Sequence, residues 1–221
     1  MTHTLAYDLS HLLGGIVLVL SFALLYQRRL MSVINIYALQ AMTLTAAALW
    51  QGYSQGATEL YVTAVITLAA KGIAIPVALH RIVRQLKLHR AVETALGVFP
   101  SMVLGVAFVA LAVLVVLPTT AQSQTLSRED LALALSVVLL GLLMMITRRS
   151  ALTQVIGFMS LENGLILAAI GITGLPLLVE IAVAFLILLA AIVFGVFFFR
   201  IRERFDSLDL SHLDVVGRTQ L

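Results

Sequence analysis

GFMSLENGLILAAI, residues 157–170, is an apolar stretch broken by Glu162 and Asn163. It lies within a longer run, 152–172, and about 20 apolar residues are enough to cross a bilayer as a helix. Six further runs of that kind occur, at roughly 9–26, 30–50, 59–80, 95–117, 130–147 and 175–199. The chain of 221 residues is 61% hydrophobic and 11% charged, with a mean hydropathy of +1.07. Soluble domains carry about 25% charged residues. Composition and run length together predict an all-α integral membrane protein with about seven transmembrane helices. Residues 1–199 form one transmembrane domain and 200–221 a short charged tail; 81–94 is the only sizeable basic loop.

Charge placement predicts the orientation. Of the 14 Lys and Arg residues, twelve follow the first, third, fifth and seventh runs: Arg28, Arg29, Arg81, Arg84, Lys87, Arg90, Arg148, Arg149, Arg200, Arg202, Arg204 and Arg218. The opposite side has only Arg128, beside Glu129 and Asp130. Lys and Arg mark cytoplasmic loops, which sets the N-terminus outside and the C-terminus inside. MTHTLAYD lacks the positive front of a signal peptide, so the first run reads as an uncleaved helix. The net charge of +3 reflects this topology bias and is no sign of a nucleic-acid partner. Tyr26, Trp50 and Tyr53 suit anchoring at the lipid interface.

Two parts of the chain look alike. VINIYALQAMTL (33–44) aligns with VIGFMSLENGLI (155–166), ELYVTAVITLAAKG (59–72) with EIAVAFLILLAAIV (180–193), and Arg28-Arg29 with Arg148-Arg149. A parallel duplication of a three-helix unit, 9–80 and 130–199 with the 95–117 run between, would give this pattern. Gln40 is then the counterpart of Glu162, Ile192 that of Lys71, and Glu59 matches Glu180.

The intramembrane charges are the candidate site. An ionised carboxylate at mid-membrane costs about 2.5–3.5 kcal/mol on insertion scales, so Glu162 must face protein, water or a cation. Gly157, Ser160, Gly164, Ala168 and Gly171 form a small-residue stripe beside it that lets another helix come close. Glu180, in the outer part of the seventh run, continues a face with Ala184, Ala191 and Gly195. Lys71 is too deep in the third run to reach the surface, and Ala64, Thr67, Ala74 and Ala78 share its helical face. Pro76 removes the hydrogen bond to the Gly72 carbonyl and predicts a kink one turn on. A carboxylate set between burial, which favours its neutral form, and a cation, which favours its charged form, can exchange a proton near neutral pH. Glu162, Glu180 and Lys71 are therefore the proton-path candidates, with Asn163, Gln40 and Pro76 in support. The same groups can instead serve as contacts that hold helices together.

Glu59 is expected to be solvated, and Glu93 to sit as a dipole partner at the start of the fourth helix. His80 and His89, in or beside the basic loop, read as surface residues rather than metal ligands, and His11 carries no special signal. No cysteine is present, which rules out thiolate-held clusters in this chain. No phosphate loop, haem motif or nucleophile–base arrangement occurs, so neither a cofactor nor a metal is expected and a stand-alone enzyme is disfavoured.

GFMSLENG, LLVEIAVA (177–184), AAKGIAIP (69–76), ETALGVFP (93–100) and the DLSHLDVVG tail together resemble component E of hydrogenase-4-type formate hydrogenlyases over nearly the whole chain. The last three runs are similar to the three-helix K subunit of complex I, whose two intramembrane Glu residues correspond by position to Glu162 and Glu180. The resemblance departs at Leu186, where such proteins carry an Asp. It implies a non-redox membrane subunit of a group 4 hydrogenase or complex I-like machine in a bacterial or archaeal cytoplasmic membrane. Its partners would be antiporter-like membrane subunits, peripheral iron–sulfur and nickel–iron subunits, and membrane lipid. FDSLDLSHLDVV (205–216) would be a docking strip for the peripheral arm or a solvated tail.

Overall fold

The computed structural model describes residues 2–85, 95–119 and 125–171. Every regular element among them is helical: α1 (Thr2–Tyr26), α2 (Leu30–Gln55), α3 (Thr58–Ile66), a π-helical turn (Thr67–Ala74), α4 (Ile75–Gln85), α5 (Val98–Thr119), α6 (Thr125–Thr147) and α7 (Ala151–Gly171). α3, the π-helical turn and α4 run on as one span, Thr58–Gln85. Among the described residues, six helices are thus long and apolar enough to cross a membrane, which fits a multi-pass membrane protein. The predicted seventh run, Glu180, Leu186 and the tail lie outside the described residues, as do His89 and Glu93.

The observed helices differ from the apolar runs mainly at their ends. α4 extends to Gln85, so Arg81 and Arg84 are helical rather than part of a loop. α5 starts at Val98, five residues beyond Glu93, with Pro100 in its first turn, where a missing N–H costs nothing. α2 stops because Gly56 adopts a left-handed conformation (φ 66°) and returns its N–H to the Gly52 carbonyl.

α6 and α7 form the tightest pair, and glycine makes it so. A Cβ at Gly141 would lie 2.5 Å from the Leu161 nitrogen, and one at Gly164 would lie 2.8 Å from the Val138 nitrogen. Gly157 meets Met145 and the Gly141 carbonyl in the same way. The predicted small-residue stripe on α7 therefore docks on α6 through Gly157 and Gly164. Ser160, between them, faces α2 instead, where it accepts a hydrogen bond.

α1 and α2 complete the bundle, and an apolar cluster joins five elements at one end: Val17, Leu44, Ala48, Ala64, Val137 and Leu167 are among its members. α5 packs on α1 and α6, with Phe22, Leu25 and Leu140 closing over Gly105. The Thr58–Gln85 span lies against α2. Its buried residues record the geometry of the turn in the middle. Leu60, Ala64, Thr67 and Lys71 follow one helical stripe; Gly72, Pro76, Leu79 and Val83 follow the next, displaced by one position.

Candidate functional site

That displacement places Lys71. Within the turn the Ile75 N–H donates to the Ala70 carbonyl, five residues back rather than four, so one extra residue is accommodated. The widening lies directly before Pro76, whose ring crowds the carbonyl four residues back in a regular helix. The distortion anticipated at Pro76 is therefore an i→i+5 turn that includes Lys71. It also corrects the predicted face. Ala64 and Thr67 are buried with Lys71 as expected, but Ala74 and Ala78 are exposed, because the extra residue rotates them away.

Lys71 points from this turn to α7. Its Nζ lies 3.1 Å from Glu162 Oε1, with both residues only 3% exposed. The contact is ionic, off hydrogen-bonding geometry. The same ammonium donates to Asn163 Oδ1 at 3.0 Å. Asn163 Nδ2 donates to Gln40 Oε1 at 3.2 Å, and Gln40 Nε2 donates to Ser21 Oγ at 2.8 Å and to Ser160 Oγ at 3.0 Å. Ser21 donates in turn to the Val17 carbonyl, which can only accept. Every donor in this chain points away from Lys71, and each bond polarises the next. The array ties together α1, α2, the π-helical turn and α7. Lys71, Glu162, Asn163 and Gln40 are thus brought together, and Pro76 flanks them. Gln40 bonds directly to the segment it was aligned with in the proposed repeat.

Three features have no counterpart in the sequence reading. Tyr37, one turn before Gln40 on α2, is fully buried, and its hydroxyl has no hydrogen-bond partner among the described residues. Arg148, counted above as an inner-surface charge, is 2% exposed. Its Nη2 donates to the carbonyls of Leu24 (2.9 Å) and Leu25 (2.7 Å), which closes the C-terminal end of α1. Burial pulls its guanidinium below the ordinary value, though an arginine stays charged at any physiological pH. Finally, His11 Nδ1 lies 3.3 Å from Asp130 Oδ1, and its Nε2 lies 3.7 Å from Glu129 Oε2, linking α1 to α6. A buried tyrosine needs a partner for its hydroxyl, so Tyr37 amid apolar residues was a signal that could have been read. The pairings of Arg148 and His11 are tertiary and left no local trace.

Glu59 is exposed, as anticipated. His80 is partly exposed, and its Nδ1–H donates to the Pro76 carbonyl at 2.8 Å. No cluster of three or more potential metal ligands occurs among the described residues.

The chain is similar to a mycobacterial protein of matching length. It is 29% identical over 202 residues, 90% of this chain and 91% of the relative, to "Uncharacterized protein Rv0085" of Mycobacterium tuberculosis. No family model and no solved structure matches it.

Proposed function

We propose that this chain is a membrane-arm subunit of a hydrogenase-4 or complex I-like machine, in which redox chemistry elsewhere drives proton or sodium movement. The observation that carries the reading is the Lys71–Glu162 pair, buried at mid-span on a distorted turn. Helix packing alone has no need of two opposite charges in a bilayer, where each is costly. An ion pair that can open and close is a means of passing a proton. Glu180, Asn163, Gln40 and Pro76 complete the proposed path and its support. The full architecture would be seven spans with the N-terminus outside, built as a parallel three-helix duplication in a prokaryotic cytoplasmic membrane. Antiporter-like membrane subunits and iron–sulfur or nickel–iron peripheral subunits would be the partners. The motifs GFMSLENG, LLVEIAVA and AAKGIAIP support that choice.

Copurification in mild detergent tests the partnership: stoichiometric recovery of antiporter-like and hydrogenase-type subunits is expected. Glu162→Gln then tests the role, with an assembled complex and lost proton coupling as the expected result. Intact coupling in an assembled complex would sink the relay. The amide chain from Asn163 to Ser21 supports a second reading, in which the polar groups only hold four elements together. That reading requires Glu162→Gln to prevent assembly. A chain that purifies alone and moves ions in liposomes would instead be an independent transporter.

A further inference from the structure

The polar array around Glu162 is lopsided. On one side Lys71 and the amides form a chain whose donors all run outward to the Val17 carbonyl, and amides held in this way relay no proton without reversing the whole series. On the other side the carboxylate is unfinished: its Oε2 is buried and has no polar partner among the described residues. The Tyr37 hydroxyl shares that condition, with the residue 0% exposed. Two buried, unsatisfied groups are costly apart, and a tyrosine O–H is a donor that a carboxylate lacks.

The two belong to one neighbourhood. Gln40 binds Ser160 and Asn163, two residues before and one after Glu162 on α7, and Tyr37 lies one turn from Gln40 on the same buried face of α2. No direct hydrogen bond joins Tyr37 and Glu162. α6 covers another side of α7 through Val138, Gly141 and Met145, which do not titrate. Among the described residues, Lys71 is the titratable group in contact with Glu162.

We infer that Tyr37 is hydrogen-bonded to Glu162 through one bridging water and forms the limb by which protons reach the carboxylate from the Arg28–Arg29 and Arg148–Arg149 end. The inference rests on the relay reading of Glu162. Depth agrees with the assignment: Tyr37 is seven residues into α2, about 10 Å from that end, and Glu162 is eleven residues into α7, about 16 Å from it. A hydronium-borne proton bonds to the Tyr37 oxygen as the hydroxyl's own proton leaves for the water, and the water passes one of its protons to Glu162. Tyrosine and water end as neutral as they began, and the carboxylate becomes a carboxylic acid.

The test is pH-difference infrared spectroscopy of the full chain in lipid, comparing wild type, E162Q and Y37F. The carboxylic-acid band that disappears in E162Q identifies Glu162. In Y37F that band should shift to higher frequency, as a carboxyl group does on losing a donor, while the circular dichroism stays that of wild type. A band that remains in place overturns the Tyr37 limb and leaves the relay standing. Absence of a titrating Glu162 band in wild type overturns the relay, and the limb with it. Should Y37F not fold, wild type in ¹⁸O water decides. A water O–H band that shifts with the isotope, changes as Glu162 titrates and is missing from E162Q supports the bridge; no such band overturns it.

Discussion

Replacing Lys71 with Met removes the cation 3.1 Å from Glu162 and withdraws the donor on Asn163 Oδ1. At that distance, with an effective dielectric of about 20, Coulomb's law gives an attraction of about 5 kcal/mol. Desolvation of the two ends offsets much of this, and deleting one partner of a buried pair costs about 3–5 kcal/mol in net terms. Lys71→Met should therefore destabilise the chain by an amount in that range. Lys71→Met combined with Glu162→Gln leaves neither charge behind, and buried pairs replaced by neutral groups of similar volume are often no less stable. The double variant should come within about 1 kcal/mol of wild type. A double-mutant cycle should then show a coupling energy of at least about 2 kcal/mol. Denaturant unfolding in detergent micelles, followed by the fluorescence of Trp50 beside Tyr53, reads all four proteins. Effects that add to within about 0.5 kcal/mol would refute the pairing, since uncoupled residues behave in that way.

Two further outcomes are expected. Gly141→Ala drives a methyl into the Leu161 backbone and should lower stability by about 1–3 kcal/mol, whereas Gly15→Ala meets nothing within 4 Å and should raise it by about 0.5–1 kcal/mol; the opposite ranking in thermal unfolding would contradict the α6–α7 packing. Arg148→Met should cost about 1.5–3 kcal/mol and speed hydrogen exchange around Gln27 and Arg28, with Arg148→Lys only a partial rescue because an ammonium lacks the planar fork.

The helices were legible because a bilayer imposes a length and excludes charge, and Glu162 and Lys71 stood out for the same reason. That they meet was not legible; depth along two runs permits a contact without specifying one. The π-helical turn left less trace still. The span around Lys71 is apolar on nearly every side, so no contrast between a wet face and a dry one marks where the register slips. Extrapolating a period of 3.6 from Lys71 reached Thr67 and Ala64 correctly in one direction, and failed at Ala74 and Ala78 in the other. Arg148 was legible as a charge at a helix end but not as a buried cap. A charge-count rule locates an arginine at a membrane face but does not distinguish a solvated guanidinium from one capping a helix.

The two displaced stripes on the Thr58–Gln85 span make its length a structural constraint. Deleting Gly72 would move Pro76, Leu79 and Val83 back by one position, onto a single face with Leu60, Ala64, Thr67 and Lys71 at spacings of three and four. A straight α-helix one residue shorter would line these residues up, but it would press the Pro76 ring against the carbonyl four residues back. The extra residue thus makes room for the proline, and it sits where the cation is. Changing the length between Thr67 and Pro76 would therefore move one stripe off its face, whereas exchanging one apolar side chain for another would not.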